Sequence, residues 1–391
     1  MTFPKHHGSI DTDVVIVGGG ITGAICAYLF ANAGIRVALL EAKVVARGST
    51  AASTALLMQE PDRDFVDLSA RFGRAATRDI WNTLARATRD LTRTIRRLRL
   101  KVDFCECGSV YFTRDPKKLA ALRKEFERRK AAGLAGRWLS PEALFRATGI
   151  KASGAIATPH NAQVNPVRAC RGFLDAAARR GASIFEGSPV RSVKTSKSVV
   201  EVRTSGGVIR AARVIVATGY ATPEFRGLVG RFRMKDTYVI ATRRLPRRLR
   251  LGQTMAWDTD RPYHYLRWTD DGRLLVGGED TNHRSVKGAR QRIARARGRL
   301  MTYLTGIYPH LRDERPDYAW EGLFAETPDG LPYVGSHSRY PKHLFALGYG
   351  GNGMTASFLA ARLLLDLYQG RDKGREVQSR ANLFAFRRGH R

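Results

Sequence analysis

The chain lacks the features that mark membrane-spanning, secreted and fibrous proteins. A membrane span needs about 18 consecutive apolar residues, and the longest apolar runs of the chain are shorter. The first residues lack the apolar core of a signal peptide. Four cysteines among 391 residues are too few for a disulfide framework. Because 43% of the residues are apolar, a disordered chain is also excluded. We therefore expect a soluble, cytoplasmic protein of roughly two to three domains.

Acidic residues are also scarce: 35 Asp and Glu stand against 67 Lys and Arg, which gives a formal net charge of +32. Nucleic-acid-binding proteins usually gather such charge into a patch or stripe. Here the arginines are spread through nearly every segment, as a GC-rich coding bias would also produce. We therefore do not expect nucleic acid as a partner, and the charge leaves the function open.

A glycine-rich turn joins a predicted strand to a predicted helix near the N-terminus. The strand is the apolar, β-branched run at 13–17, and the helix follows at 24–33. Gly18, Gly20 and Gly23 lie between them in the G-x-G-x-x-G pattern. These glycines turn the chain tightly, let the backbone approach a pyrophosphate, and let the helix pack closely on the strand. The helix N-terminus would then bind the phosphates.

An acidic residue completes the pattern. A second predicted strand at 36–40 is followed by Glu41, and a carboxylate about 20 residues after the glycines binds ribose hydroxyls and repels a 2′-phosphate. The chain then enters a loop of small and hydroxyl residues at 48–54, and the next parallel-type strand follows only at 214–219. A nicotinamide-binding domain would continue directly into further βα units. The sequence therefore predicts FAD rather than NAD or NADP.

Two further stretches have a strong periodic pattern. Between residues 68 and 98, apolar residues recur every three, four or seven positions, which predicts one long helix or two successive helices with an apolar face. That face is expected to be core, although the basic opposite face leaves open a role at a membrane surface. Further on, 208–211 and 214–219 are predicted as separate strands, the first in a small meander and the second in a parallel sheet.

Four blocks of the chain carry a family resemblance: 14–41, 154–219, 265–278 (YLRWTDDGRLLVGG) and 320–357. In these blocks and in their order, the sequence resembles the D-amino-acid-oxidase-type FAD-dependent oxidoreductases, also described as glycine/sarcosine oxidase-like. Within them it is most similar to the gamma-glutamylputrescine oxidase-like branch. It departs from that branch at 48–54, where relatives often carry a Ser-Gly-Arg-Asn-Gly-Gly type loop.

The resemblance implies an α/β fold with two interleaved domains. One is a Rossmann-like FAD-binding domain with a mixed, mostly parallel sheet. The other is an α+β substrate domain built on an antiparallel sheet. The predicted FAD-binding segments are 1–75, 151–225 and 323–391, and the predicted substrate segments are 76–150 and 226–322.

The resemblance also implies how FAD is held. Glu41 would bind the adenosine ribose, the backbone of Val190 would meet the adenine, and the loop at 350–354 would place N–H groups against the flavin pyrimidine. No His or Cys matches a covalent attachment position, so we expect noncovalent FAD, and no metal is expected. The predicted cofactor residues are Gly18, Gly20, Ile21, Thr22, Gly23, Glu41, Ala42, Gly48, Ser49, Thr50, Ser53, Val190, Ala217, Thr218, Gly219, Gly348, Gly350, Gly351, Asn352, Gly353 and Met354.

The substrate side is less well defined. An amino acid needs a cation for its carboxylate, best an arginine that forms two parallel hydrogen bonds. Arg267 stands two residues after Tyr265 on a predicted strand, so the two share a face; a surface role for Arg267 is an equal alternative. His264 is a candidate base. The candidate catalytic residues are Arg267, Tyr265, Tyr349 and His264, and the candidate aromatic walls also include Tyr238, Trp257 and Tyr263.

The expected activity is oxidation of an amine or amino acid. Hydride would pass from the carbon that bears the nitrogen to flavin N5, the imine would be hydrolysed, and O2 or an electron carrier would reoxidise the flavin. Three alternatives stay open: a flavin domain acting on a modified tRNA base, a membrane-peripheral dehydrogenase that passes electrons to quinone, and a noncatalytic binding protein stabilised by flavin. The specific substrate and the oligomeric state are not predicted.

Overall fold

Two sheets, of eight and nine strands, organise the chain in a computed structural model that describes residues 2–220, 225–247, 254–284, 287–371 and 382–385. The helices are α1 (Ile21–Asn32), α2 (Ser49–Ala52), α3 (Phe65–Phe72), α4 (Arg74–Arg97), α5 (Leu119–Ala131), α6 (Pro141–Thr148), α7 (Pro166–Ala178), α8 (Arg226–Val229), α9 (Ala289–Ile307) and α10 (Gly353–Tyr368).

The strands run through the described chain, and consecutive groups of them enter one sheet and then the other. They are β1 (Gly8–Val17), β2 (Val37–Leu40), β3 (Leu56–Leu57), β4 (Cys105–Thr113), β5 (Arg137–Leu139), β6 (Gly154–Gln163), β7 (Ser183–Phe185), β8 (Ser192–Thr195), β9 (Val200–Arg203), β10 (Gly207–Gly219), β11 (Arg233–Thr242), β12 (Met255–Asp258), β13 (His264–Trp268), β14 (Leu274–Asn282), β15 (Pro316–Glu326), β16 (Tyr333–His337) and β17 (Tyr340–Leu347).

The first sheet has the order β16-β17-β10-β1-β2-β7, and β8 and β9 extend it from β10. β1 pairs in parallel with both β2 and β10, and β10 pairs in parallel with β17. Their apolar, β-branched residues suit a sheet covered on both faces. The helices α1, α7 and α10 pack together over one face, with Tyr28, Phe173 and Phe358 fully buried between them. This is the predicted Rossmann-like arrangement.

The second sheet has the order β15-β11-β14-β13-β12-β4-β6-β3, and β5 adds a ninth strand by pairing with β6. Its pairs are antiparallel except β12 with β4, which run parallel. α9 covers one side of β11, β14 and β15, where Leu300 and Leu304 pack into the same core as Val276. The predicted α/β class with a second, largely antiparallel sheet is confirmed.

Two predicted segment boundaries are wrong. β6 pairs with β4 in the second sheet, so the chain returns to the first sheet after Gln163 and not at residue 151. All but the first two residues of α4 lie in the predicted substrate segment 76–150. Ile80 and Leu84 nevertheless pack in the core under the first sheet, and α4 contacts α10. The apolar stripe of α4 is therefore core of the cofactor-binding half.

The structure decides one open alternative in favour of two helices, and it merges one pair of predicted strands. Gly73 divides the long periodic stretch into α3 and α4, because its φ of 80° lies in the left-handed region that glycine tolerates. The runs at 208–211 and 214–219 are one strand, β10, whose first half pairs with β9 and β1 and whose second half pairs with β1 and β17. None of the helices within the described ranges combines the length and apolarity that a bilayer crossing requires.

Candidate active site

A cavity of about 1080 Å³ lies between the two sheets and is lined by both. The carboxyl ends of β1, β2 and β10 border one part of it, which is where open parallel sheets bind ligands. Strands β11, β13, β14 and β15 of the second sheet border the other part. A ligand in this cavity would therefore contact both halves of the molecule.

The glycine-rich turn forms the nucleotide end of the cavity. A Cβ at Gly18 would lie 2.6 Å from the carbonyl oxygen of Ala217, so only glycine lets β1 and β10 approach here. Gly20 precedes α1 and gives it no side-chain cap, while the Ile21 N–H donates to Thr50 Oγ1 at 3.0 Å. A helix N-terminus whose own N-cap residue has no side chain, beside a glycine turn, suits a pyrophosphate.

Glu41 extends from the end of β2 and fixes this turn. Its Oε2 accepts from the Gly19 N–H and its Oε1 from the Lys43 N–H, both at 2.8 Å. Each carboxylate oxygen has a second lone pair, and Glu41 lines the cavity together with Val190. The residues therefore fit the ribose and adenine of FAD.

Most of the predicted cofactor residues line the cavity, and two do not. Gly23 packs against the turn itself, since a Cβ there would lie 1.9 Å from the carbonyl oxygen of Gly18. Gly348 donates its N–H to the carbonyl of Gly219 and lies against Phe232. Both glycines shape the backbone and are not in the cavity wall. The rest of the predicted set lines the wall.

Aromatic side chains form the opposite end. Tyr265 lies across the neighbouring strand, where a Cβ at Gly277 would meet its ring at 2.3 Å. Trp257 stacks on Tyr111 with ring centroids 5.5 Å apart. Tyr263 also lines this end, whereas Tyr349 lines the cavity beside Thr22 of α1, at the nucleotide end. The sequence-predicted Tyr238 does not, because it is buried in the core beneath α9.

Arg267 does not serve the predicted role. It shares a strand face with Tyr265, and both side chains reach Thr54, but its guanidinium is buried and outside the cavity wall. It donates to the backbone carbonyls of Thr54, Val164 (3.1 Å) and Trp268 (3.4 Å). Burial lowers the pKa of Arg267 to about 10. The side chain ties β13 to the loops around it, and the carboxylate clamp expected there is wrong.

Replacing Arg267 should therefore affect folding more than substrate binding. We expect Arg267→Met to lower the free energy of unfolding by about 2 to 4 kcal/mol, because it leaves buried carbonyls without donors. Chemical denaturation measures this, with Arg297→Met, an exposed position on α9, as the control. A variant of native stability with a raised KM for carboxylate-bearing substrates alone would contradict the assignment.

His264 is also misassigned as a base. It faces away from the cavity, stacks on Tyr303 at 4.0 Å, and hydrogen-bonds Asp258 (3.3 Å) and Glu279 (3.1 Å). Burial alone would lower its pKa, but the hydrogen bonds and charges of the two carboxylates outweigh burial and raise the pKa of His264. Successive side chains of β13 point to opposite faces of the sheet. Because Tyr265 points into the cavity, His264 lies on the other face.

The cavity contains carboxylates that the sequence analysis missed. Four acidic residues occur within 60–67, and all four line the cavity, as do Asp280 and Glu326. Such an acidic cluster in an acid-poor chain was a visible signal. Its position in the cavity follows from the chain's path after β3, which brings 60–62 against the loop at 350–352: the Asn352 side chain donates to the Glu60 carbonyl, and the Gly351 N–H donates to Asp62.

Asp62 is the carboxylate nearest this glycine loop. A Cβ at Gly350 would lie 1.9 Å from its Oδ2. Asp62 is exposed to the open cavity, although many protein atoms surround its carboxyl group. Burial and the charges of Glu326 and Asp280 outweigh the Gly351 N–H and Arg63 and raise the pKa of Asp62 to about 7. Asp62 can therefore exchange a proton near neutral pH.

This combination of a dinucleotide cradle and a carboxylate-bearing pocket is that of a redox enzyme with a bound nucleotide cofactor. The chain belongs to the DAO family, described as FAD dependent oxidoreductase, whose model matches residues 13–367. The gamma-glutamylputrescine oxidoreductase of Escherichia coli (strain K12) is 28% identical over 94% of this chain and 86% of its own length. The glycine oxidase of Bacillus licheniformis is 26% identical over 92% and 93%.

Solved structures show the same fold. The glycine oxidase of Geobacillus kaustophilus superposes with a TM-score of 0.76 at 22% identity and covers 92% of this chain and 95% of its own. The L-proline dehydrogenase of P. horikoshii gives 0.79 at 18% identity, over 96% and 98%. The chain is thus a FAD-dependent oxidoreductase, which confirms the predicted fold, cofactor and enzyme class.

Proposed function

We propose that this enzyme oxidises the C–N bond of its substrate by hydride transfer from the carbon next to nitrogen, after which water hydrolyses the imine. FAD bound along the glycine turn and the loop at 350–354 supplies the hydride acceptor. The observation that carries the proposal is the single cavity that joins the nucleotide cradle to Asp62 and the aromatic end. The two reactants would share one space.

Asp62 prepares the substrate for this step. An alkyl amine is mostly protonated at neutral pH, since its pKa is about 10, and an ammonium has no lone pair to assist departure of the hydride. The Asp62 carboxylate takes the proton from the substrate nitrogen, so that its oxygen becomes O–H and the nitrogen becomes neutral. A group with a pKa near 7 is well matched to this transfer.

The aromatic residues orient the substrate and exclude water. Tyr263, Tyr265 and Trp257 line the same end of the cavity as Asp62, and their rings supply large apolar surfaces. Burial raises the pKa of Tyr265 well above its usual range, so its hydroxyl remains neutral and donates hydrogen bonds. Of the four candidate catalytic residues, Tyr265 and Tyr349 keep a place in this proposal as wall residues.

Anaerobic mixing tests the proposal. The purified flavoprotein should lose the absorbance of oxidised flavin with at least one member of a panel of amino acids, N-alkyl amino acids, monoamines and diamines, and the solution should then contain ammonia or a primary amine. Oxygen uptake, measured beside reduction of an artificial acceptor, separates an oxidase from a dehydrogenase. If the whole panel leaves a dithionite-reducible flavin oxidised, C–N oxidation is the wrong reaction.

A further inference from the structure

The outer side of α4 carries a row of arginines that the proposed reaction does not use. All seven arginines of this helix are exposed, and they are Arg74, Arg78, Arg86, Arg89, Arg93, Arg96 and Arg97. At 3.6 residues per turn they fall within about 140° of the helix circumference, along a row about 35 Å long. The opposite side of α4 is buried from Thr77 to Ile95. We call this row the arginine face.

Acids are fewer than arginines on this surface. α4 itself contains two, Asp79 and Asp90, and the neighbouring Glu106 pairs with an arginine of the row. Asp90 is shared between Arg93 at 3.0 Å and Arg362 of α10 at 3.8 Å, so the second helix adds an eighth arginine. These three acids are fewer than half of the arginines, and the face keeps an excess of positive charge.

Helix stability does not account for the arginine face. Arg74 with Arg78, and Arg89 with Arg93, are like-charged pairs four residues apart, which destabilise a helix. The first turn contains no acid, although the helix dipole favours one there and favours basic residues only in the last turn. An anionic partner lying against the row would compensate this repulsion.

The residues of α4 favour a bilayer surface over nucleic acid as that partner. Single-stranded nucleic acid is bound by basic grooves with aromatic rings for stacking, and the one aromatic residue of α4, Trp81, is 4% exposed. Because one side of α4 is buried along its length, the helix cannot enter a DNA groove as a recognition helix does. A cluster of about four to eight Lys or Arg on an amphipathic helix is typical of binding to anionic phospholipids.

α4 also covers the active-site cavity from outside. On its buried side, the Thr88 hydroxyl donates to the carbonyl of Met58 at 3.0 Å and lies 3.3 Å from the Thr355 hydroxyl. Met58 lines the cavity, as does Met354, the neighbour of Thr355. The arginine face therefore lies about one helix diameter, roughly 10 Å, outside this wall of the cavity.

We propose that the arginine face docks the enzyme on a bilayer surface rich in anionic phospholipids. The guanidinium groups donate hydrogen bonds to the lipid phosphates, a geometry that suits arginine. α4 has no exposed large apolar side chain, so the contact is electrostatic, without insertion into the hydrocarbon, and salt weakens it. This docking is independent of the substrate and of the C–N oxidation.

Vesicle flotation of the FAD-loaded enzyme tests the proposal. The enzyme should bind vesicles of phosphatidylcholine that contain about one third phosphatidylglycerol, and it should not bind vesicles of phosphatidylcholine alone. Binding should be present at about 0.1 M salt and lost at about 1 M, where the Debye length falls to about 3 Å. Equal binding to the neutral vesicles, or no binding to the anionic vesicles at the lower salt concentration, would overturn the proposal.

Matched variants separate the arginine face from the net charge. The α4 variant combines Arg78→Gln, Arg89→Gln and Arg93→Gln. One basic residue near an anionic bilayer strengthens binding about fivefold, so this variant should bind about 100-fold more weakly. The control on α9, which covers the second sheet, removes the same charge from three exposed positions by Arg290→Gln, Arg295→Gln and Arg297→Gln. The control should keep most of its binding, and a loss as large as that of the α4 variant would contradict docking through α4.

Two further measurements complete the test. Both variants should keep their flavin, because the substituted side chains are exposed; if the α4 variant loses flavin, its three single substitutions should each weaken vesicle binding about fivefold, and no effect in any of them would refute the proposal. Random-sequence duplex DNA is the competing ligand. If DNA binds more tightly than the anionic vesicles at the same salt concentration and through the same three arginines, the face is a nucleic-acid site and the proposal is wrong.

Discussion

Gly23→Ala should abolish FAD binding and destabilise the fold. The added Cβ would lie 1.9 Å from the carbonyl oxygen of Gly18, a backbone atom at the start of the glycine turn that cannot move without displacing the turn. Helix α1 would have to shift away from β1, so its N-terminus would leave the phosphate position. We expect loss of bound flavin and a fall of about 3 kcal/mol in the free energy of unfolding.

The flavin-to-protein absorbance ratio and chemical denaturation measure the two effects. The matched control is Gly298→Ala in α9, where a Cβ would meet no atom within 4 Å. That variant should keep its flavin and gain about 0.5 to 1 kcal/mol, because alanine favours a helix. A Gly23→Ala protein with full flavin content would show that the close packing of α1 on the turn is not needed for the cradle.

The cofactor half was predictable because its signal is local. A strand, a glycine turn, a helix and an acid follow one another within about 30 residues, and the spacing alone brings Gly18, Gly20 and Glu41 to one edge of the sheet. Two glycines were wrongly expected in the cavity wall. Gly23 and Gly348 contact backbone or side chains instead. Gly23 packs against the glycine turn that the pattern predicts, whereas Gly348 packs against Gly219 and Phe232 after β17.

The substrate half was not predictable in the same way. The alternation along β13 correctly placed Tyr265 and Arg267 on one face, but the partners of Arg267 are carbonyls more than 100 residues away in the chain, at Thr54 and Val164. Likewise, β6 has the composition of any strand, and only its pairing with β4 assigns it to the second sheet. Long-range contacts decide both cases, and no local pattern encodes them.

Asp62 differs from both cases. The acidic cluster at 60–67 is visible in the sequence, but the role of Asp62 depends on its surroundings in the fold. In solution its carboxyl would have a pKa of about 4. Only the fold places it against the loop at 350–351 and beside Glu326 and Asp280, which together with burial raises its pKa to about 7. The sequence therefore contains the group, and the tertiary structure gives the group its chemistry.

That chemistry predicts a pH profile for flavin reduction. Asp62 accepts a proton only as a carboxylate, so the anaerobic reduction rate of the wild type should rise with pH, with a midpoint of about 7, and then level off. Asp62→Asn should lower the rate at neutral pH by about 100-fold to 1000-fold. Its rate should recover only as the free amine forms, near pH 10 by the usual pKa of an alkyl ammonium. Stopped-flow absorbance measures both profiles.

The effect of a neighbouring charge on the pH–rate profile distinguishes proton transfer by Asp62 from a purely structural role. Glu326 raises the pKa of Asp62, and Arg63, its ion-pair partner, lowers it. Glu326→Gln removes the repulsion and frees Arg63, and both effects stabilise the Asp62 carboxylate. The midpoint of the rate profile should therefore move to lower pH while Asp62 is unchanged. If the midpoint near 7 persists in Asp62→Asn, or if Glu326→Gln moves it to higher pH, the titrating group is another one. A simple loss of stability would lower the rate at every pH and move neither midpoint.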